Sequence, residues 1–391
     1  MKIGLVLPAV PGYSETFFRN KINGLKSKGH EVSLIVPYSS IENKNGYHIV
    51  FGPNLSGGSL SKVFNSFIAL IKLVFTSFQN LNRFWNLERK SGTNPQAIIK
   101  KAIINSHLLK LQLDWLHFGY ATTAIDRELV AKAIGAKMAV SFRGFDIGIY
   151  PIQHPGCYQK LWEHVNLVHT ISNDLLEEAF QLGMPKGIPF VKITPAIEVA
   201  QFKSGAREYF KEGVIKLLTV GRLHWKKGLE YTLEALSLLK QRGFKIEYTI
   251  VGTGAELERL IYAAYQFDLA EEVKFIGAIP HEAVALHMTT SDIYIQYSVQ
   301  EGFCNAVLEA QAAGMLCVVS DAEGLSENVL HEITGWVVPK RQPELLATQL
   351  ETLIKLPETI LKSTSERAVN RVIDEFNLEK QQNAFEAFYH Y

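Results

Sequence analysis

Short apolar runs alternate with helical stretches along nearly all of this 391-residue chain, and that alternation restricts it to one class of architecture. Residues 3–7, 31–36, 115–117, 137–141, 167–170 and 191–194 read as strands of one sheet. Residues 217–220, 248–251, 273–276, 293–296, 316–320 and 335–338 read as strands of a second, with helical stretches such as 229–242, 255–267 and 305–314 between them. A strand, a covering helix and a further strand make a parallel pair, and repeated units bury the sheet on both faces. The pattern predicts an α/β protein of two Rossmann-like, doubly wound parallel-sheet domains facing a cleft, with ligands beyond the carboxyl ends of the strands. The first domain is expected at residues 1–200 and the second at 201–374, with the polar segment 202–213 as linker. A C-terminal helix over about residues 375–391 is expected to pack back on the first domain.

Charge divides the chain unevenly. Residues 1–195 carry 21 Lys/Arg against 12 Asp/Glu, whereas residues 196–391 carry 19 against 27. A basic half joined to an acidic one suggests an anionic partner for the first, such as a phospholipid surface or a lipid phosphate, unless its lysines are simply scattered and solvated. Three cysteines (Cys157, Cys304, Cys317) with no CxxC fit a reducing cytosol, and the five-residue apolar run after Lys2 is too short for a signal peptide. The expected location is cytoplasmic, with an option of peripheral attachment at the inner face of the plasma membrane.

Residues 60–90 depart from the alternation. They are apolar and aromatic, with Lys62 and Lys72 inside the run and Arg83, Arg89 and Lys90 after it. Lys72 argues against a helix that spans a bilayer. Two readings stand open: an interfacial helix pair that inserts aromatics and grips anionic headgroups, or an ordinary helix of the first domain's core.

Two motifs in the second half carry chemistry. The first is Gly221-Arg222-Leu223-His224-Trp225-Lys226-Lys227-Gly228, directly after an apolar run. Arg offers a rigid fork for phosphate oxygens and Lys a compact point charge, so Arg222 and Lys227 can both reach one diphosphate. Charge builds on a diphosphate as it leaves, so cations held there stabilise the transition state more than the ground state. The second motif is Glu301-Gly302-Phe303-Cys304-Asn305-Ala306-Val307-Leu308-Glu309. Gly302 permits a tight turn, and a helix beginning near Asn305 aims free amides and its positive end at an anion. Glu309, expected in the first helical turn, can accept hydrogen bonds from a ribose diol, and Glu301 would face a sugar. Together the motifs read as a nucleotide-sugar site. A surface turn, a solvated loop acid at Glu301 and a Glu309 that serves only its own helix dipole would produce the same spacing.

With those residues in view, the chain resembles a retaining family 4 glycosyltransferase of the GT-B fold over essentially its whole length. The matching segments are residues 221–228, Val251-Gly252-Thr253-Gly254, Phe275-Ile276-Gly277, residues 301–314, Gly324-Leu325-Ser326-Glu327 and Thr334-Gly335-Trp336-Val337-Val338-Pro339. In the first half, Pro11-Gly12-Tyr13-Ser14-Glu15-Thr16-Phe17 is similar to the opening of exopolysaccharide and O-antigen members. The resemblance implies transfer of a hexose from a nucleotide sugar, UDP-linked more readily than GDP-linked, to a saccharide or lipid-linked acceptor. It implies Arg222 and Lys227 on the diphosphate and Glu309 on the ribose. Glu301 and the amides of Phe303, Cys304, Asn305 and Ala306 would meet the sugar and phosphate, with Gly12 and Gly221 also lining the donor and Ile276 beside the base. Ser14, Glu15, Arg143 and Asp146 would face the acceptor. No nucleophile is required, because a phosphate oxygen of the leaving group takes the acceptor proton. No D-x-D triplet occurs, so neither a diphosphate-bridging metal nor a cofactor is expected.

The chain departs from the family's pattern in places. Ser141-Phe142-Arg143-Gly144-Phe145-Asp146 carries Arg143 where a histidine is usual. A permanent cation is no general base, so Arg143 suits a phosphate or acceptor anion, or a structural pair with Asp146. His117 reads as packed at a strand end, and His224 as a neighbour of the donor. The rival readings are a nucleotide-sugar epimerase of the same fold and a catalytically silent sugar-nucleotide-binding subunit. The loop after the first strand lacks G-x-G-x-x-G, no P-loop string occurs, and no nucleic-acid-binding module is recognisable.

Overall fold

The alternation resolves into two all-parallel sheets. The computed structural model describes every residue except 13–15, 39–45 and 203–206, and its chain divides into two units, Met1–Ile193 with Gln382–Tyr391, and Thr194–Gln381. Residues 203–206 of the expected linker thus lie outside the described residues.

The first sheet has seven strands: β1 (Lys2–Val6), β2 (Glu31–Val36), β3 (His48–Phe51), β4 (Trp115–Phe118), β5 (Lys137–Phe142), β6 (Leu167–Thr170) and β7 (Phe190–Lys192), in the order β3-β2-β1-β4-β5-β6-β7. Chain order runs outward from β1 on both sides, so the loops after β1 and β4 diverge at a topological switch point. Strands covered on both faces explain the unbroken burial along β1 after Lys2 and along β4 and β6. Edge strand β3 is absent from the sequence reading; its apolar run, Ile49-Val50-Phe51, is only three residues long and is half buried or exposed, as befits an edge. The C-terminal helix Leu378–Tyr389 ends in this unit, where Phe385, Phe388 and Tyr389 join Ile3, Leu5, Phe17 and Phe18 in one core. The Trp115 indole donates to the Tyr389 carbonyl at 2.9 Å.

Residues 60–90 form one long helix, Ser59–Lys90, interrupted at Ser77, whose backbone is non-helical. Only Leu73, Phe84 and Glu88 of it are buried, so it is no ordinary core helix.

The second sheet has six strands: β8 (Val214–Val220), β9 (Lys245–Val251), β10 (Val273–Gly277), β11 (Ile293–Gln296), β12 (Leu316–Ser320) and β13 (Trp336–Val338), in the order β10-β9-β8-β11-β12-β13. Its core joins Leu217, Tyr248, Ile250, Ile293, Ile295 and Val318 to Leu233, Leu236 and Leu239 of the helix Leu229–Gln241. Strand β8 has β9 on one side and β11 on the other, so here the switch point lies at the carboxyl ends of β8 and β11.

Candidate functional site

Both motifs emerge at that switch point, Gly221 to Gly228 after β8 and residues 297–304 after β11. Backbone packing locks the loops together. A Cβ on Gly252, whose φ is +139°, would stand 1.9 Å from the Gly221 carbonyl oxygen, and one on Gly324 would stand 1.9 Å from that of Gly302. Only glycine allows such approach. The amides of Gly221 and Leu223 donate to the carbonyls of Val251 and Thr253, each at 2.9 Å, and the Val299 amide donates to the Lys226 carbonyl at 2.7 Å.

Within this frame the charges gather. Arg222 is exposed at the loop's start. The Lys227 ammonium forms an ion pair with Glu301 Oε2, and each side chain is less than one-fifth exposed. Burial works to lower the Lys227 pKa, but the Glu301 carboxylate outweighs it and raises the value, so Lys227 is a fixed cation. Burial lowers the pKa of Lys226, which Glu301 opposes and Arg222 reinforces. The Glu301 amide donates to Glu323 Oε2 at 2.7 Å, and Glu323 in turn pairs with Lys340 at 3.2 Å. Arg222, Lys226, Lys227 and Glu301 thus line one rim, backed by the Glu323–Lys340 pair, an arrangement suited to a polyanion next to hydroxyl groups.

The helix Asn305–Ala312 begins beside them. Cys304 precedes it; its amide donates to Asn328 Oδ1 at 2.9 Å, and Asn328 Nδ2 donates to the Cys304 carbonyl at 3.2 Å. That buried asparagine engages the Cys304 amide within the protein and fixes the helix start. Burial pushes the Cys304 thiol up to about 11, so it is neutral. Glu309 lies one turn further in than the first turn expected of it and is buried, with Oε1 3.1 Å from His281 Nε2. The histidine orients the carboxylate. Ile276 stands where β10 slips register between Phe275 and Gly277, a bulge that leaves its side chain well exposed at the strand's carboxyl end.

In the first unit, Gly12 is exposed in the loop after β1, while Ser14 and Glu15 lie outside the described residues. Arg143 follows β5, its guanidinium stacked on the rings of Phe17 and Phe18 at 3.9 and 4.7 Å. Asp146 is fully buried: its carboxylate accepts from the Ala121 and Arg143 amides, each at 2.9 Å. The charge of Arg143 also acts on this carboxylate, which shapes the loop that presents Arg143. Burial raises the Asp146 pKa against the opposing effect of those amides. His117 is buried in a chain of polar contacts running from Tyr389 through His117 and Ser141 to His169, with links of 2.7, 2.7 and 2.8 Å.

The structure therefore brings Gly221, Arg222, Lys227, Glu301, Phe303, Cys304, Asn305, Ala306 and Glu309 to one end of the second sheet, with Ile276 at the end of its edge strand. Sequence reasoning missed Lys226, His281, Glu323 and Asn328. Lys226 stood inside the first motif; the others are joined to it only by folding. Among the described residues, the one grouping with metal-ligand spacing is His30, Glu386 and His390 of the first unit, and there Glu386 is paired with Lys28 at 2.6 Å. A hollow of about 670 Å³ among Asp114, Trp115, Lys137 and Asn166 lies at the amino ends of first-sheet strands and holds none of the candidates.

Comparison with known proteins bears on the fold and the family. Residues 202–371 match the family described as glycosyl transferases group 1. The chain is 27% identical over 371 residues to the amylovoran biosynthesis glycosyltransferase AmsK of Erwinia amylovora, covering 90% of each protein. A glycosyltransferase from Rickettsia africae ESF-5 superposes with a TM-score of 0.71 at 19% identity, over 99% of this chain and 97% of that one. Anabaena Alr3699/HepE in complex with UDP and glucose superposes with a TM-score of 0.72 at 16% identity, over 99% and 98%. The fold is GT-B.

Proposed function

We propose that this chain, a family 4 glycosyltransferase of the exopolysaccharide type, moves a hexose from a UDP-sugar to a saccharide or lipid-linked acceptor with retention of anomeric configuration. One observation carries the reading. Arg222 and Lys227, Glu301 and Glu309 meet at the carboxyl ends of β8 and β11, where a parallel sheet receives its ligand. A nucleoside diphosphate fits that order, with its phosphates against the cations, its ribose at Glu309 and its sugar at Glu301. AmsK, an enzyme of amylovoran biosynthesis, supports the exopolysaccharide role, and HepE, seen with UDP and glucose, supports the uridine donor.

In the proposed reaction the bond between the sugar's anomeric carbon and the β-phosphate oxygen breaks. The acceptor hydroxyl forms a new bond to that carbon on the face the diphosphate leaves, and its proton passes to a diphosphate oxygen. Arg222 and Lys227 stabilise the charge that accumulates on the departing UDP, without a metal in this proposal. Arg143, held by Asp146, would take an acceptor anion.

Calorimetric titration with UDP, GDP and ADP in the presence of a chelator tests this. UDP should bind at micromolar strength, and Arg222→Ala should weaken it about 10–100-fold, the loss of one charge-assisted hydrogen bond. Absence of binding by all three nucleotides would sink the reading. UDP released from the donor without acceptor would point to an epimerase instead.

A further inference from the structure

The Ser59–Lys90 helix has two halves of opposite character. After Ser77 it is anchored: Phe84 and Glu88 are fully buried, Glu88 meets Lys160 at 2.9 Å and Lys101 at 3.4 Å, and Asn80 Nδ2 donates to the Leu109 carbonyl at 2.9 Å. Before Ser77 only Leu73 is buried. On the opposite side from Leu73, Leu60, Phe64, Phe67, Ile71 and Phe75 fall within roughly 80° of arc and run for roughly 22 Å, and Phe78 continues the line past the interruption. Leu60 is 89% exposed, Phe75 85%, and Phe64, Phe67 and Phe78 between 61% and 64%. At roughly 200 Å² per phenylalanine side chain, these four rings alone leave on the order of 500 Å² of apolar surface in water.

The charge around the stripe has one sign. Along the helix no Asp or Glu precedes Glu88, while Lys62, Lys72 and Arg83 do. Burial, and then the charge of Lys72, lower the pKa of Lys110, so a further cation stands close by. We propose that this stripe seats the enzyme on an anionic phospholipid surface, its phenylalanines in the acyl boundary and Lys72, at the stripe's flank, among the headgroups. The inference rests on the transferase reading only for the reason lipid is met, namely a lipid-linked acceptor.

Two other occupants fit less well. The four-and-three spacing of the stripe also suits a helix pair with a second copy. Self-docking, however, would bring together two stripes each flanked by Lys72, with no acid before Glu88 on the helix to offset the charge. Among the described residues this helix is the one long and apolar enough to cross a bilayer. Its inner face is nevertheless tied to the unit, with Leu73 buried and Asn65 Nδ2 donating to the Asn54 carbonyl at 2.9 Å, which leaves only the stripe for lipid. Such a helix lies in the interface plane.

Flotation of the full chain with vesicles of phosphatidylcholine, alone and mixed with phosphatidylglycerol, tests the proposal. The protein should float with the mixed vesicles and not with phosphatidylcholine alone. The triple variant Phe64→Ser, Phe67→Ser, Phe75→Ser and the double variant Lys62→Glu, Lys72→Glu should each lose about tenfold or more of that partition. Equal flotation of the triple variant, or none of the parent protein, would overturn the inference. So would a dimer in light scattering that the triple variant converts to monomer without vesicles. UDP titration of the same variants should be unchanged, which reports intact folding. It also separates the two readings, because UDP binding can fail while flotation stands, and the reverse.

Discussion

Lys227 and Glu301 decide what the donor site can do at a given pH. Because Glu301 raises the Lys227 pKa above its ordinary value, the stability this pair contributes is fully present below the unfolded lysine pKa of about 10.4. It is lost only as pH rises through the higher folded value, so UDP affinity should be flat from about pH 7.5 to 9, above the ionisation of the terminal phosphate of UDP at about 6; a step in titrations across that window would assign the diphosphate to another group. The pair also separates binding from turnover. Glu301→Gln frees Lys227 for phosphate, so UDP should bind as well or better while transfer falls about 100-fold or more, measured as Kd against kcat. Removing Glu309, the ribose acceptor in this reading, should instead weaken UDP about 10-fold or more with little change in turnover. Arg222, Lys227, Glu301 and Glu309 were legible in the sequence because each sits in a short contiguous string of which the chemistry demands a type and a spacing. His281, Glu323 and Asn328 were not, because they reach Glu309, the Glu301 amide and the Cys304 amide across 28, 22 and 24 residues that only the fold closes.

At the scale of elements, the donor loops hold their shape by backbone contact. Gly252→Ala combines a positive φ with a Cβ 1.9 Å from the Gly221 carbonyl oxygen, and neither atom can move without shifting β8 or β9. It should cost about 3 kcal/mol or more in urea unfolding and abolish UDP binding, whereas an adjustment confined to the loop would leave both nearly intact. The anchor half of the Ser59–Lys90 helix rests on Glu88 in the same way. Burial alone would raise its pKa, but hydrogen bonds from Lys160 and Thr93 and the charge of Lys101 bring it below the ordinary value. Its contribution is present above the unfolded pKa of about 4.3 and lost as pH falls through the folded one. Glu88→Ala should destabilise the first unit by about 3 kcal/mol at pH 7, with a smaller difference from the parent protein at acid pH. Parallel strands rich in apolar residues were readable one by one. The residue 60–90 helix was not, because composition does not say which side of an apolar helix the rest of the chain covers.

Across the whole molecule, acid should undo the two units in sequence, the first before the second. The three buried or largely buried histidines with depressed pKa values, His107, His117 and His169, all belong to the first unit. Burial is the main cause at each; Arg127 adds to it at His107, and Lys21 at the other two. A histidine neutral in the fold and free to charge when unfolded contributes stability above the unfolded pKa of about 6.5 that fades as pH falls through the folded value. For His107, whose value is pushed down to about 4, that loss amounts to about 3 kcal/mol, a large share of a domain's margin. Net charge acts in the same direction. Residues 1–195 already carry an excess of cations, 21 against 12 acids, so acidification increases their self-repulsion while first relieving the acid excess of residues 196–391. Hydrogen exchange followed by mass spectrometry across an acid series separates the units by peptide. Strands β1, β4, β5 and β6 should lose protection at a pH where β8, β9, β11 and β12 keep theirs. His107→Phe should move the first transition to lower pH, since an apolar ring has no proton to gain. Simultaneous loss in both sheets would mean that the units unfold as one, and the buried histidines would then set the acid limit of the entire chain.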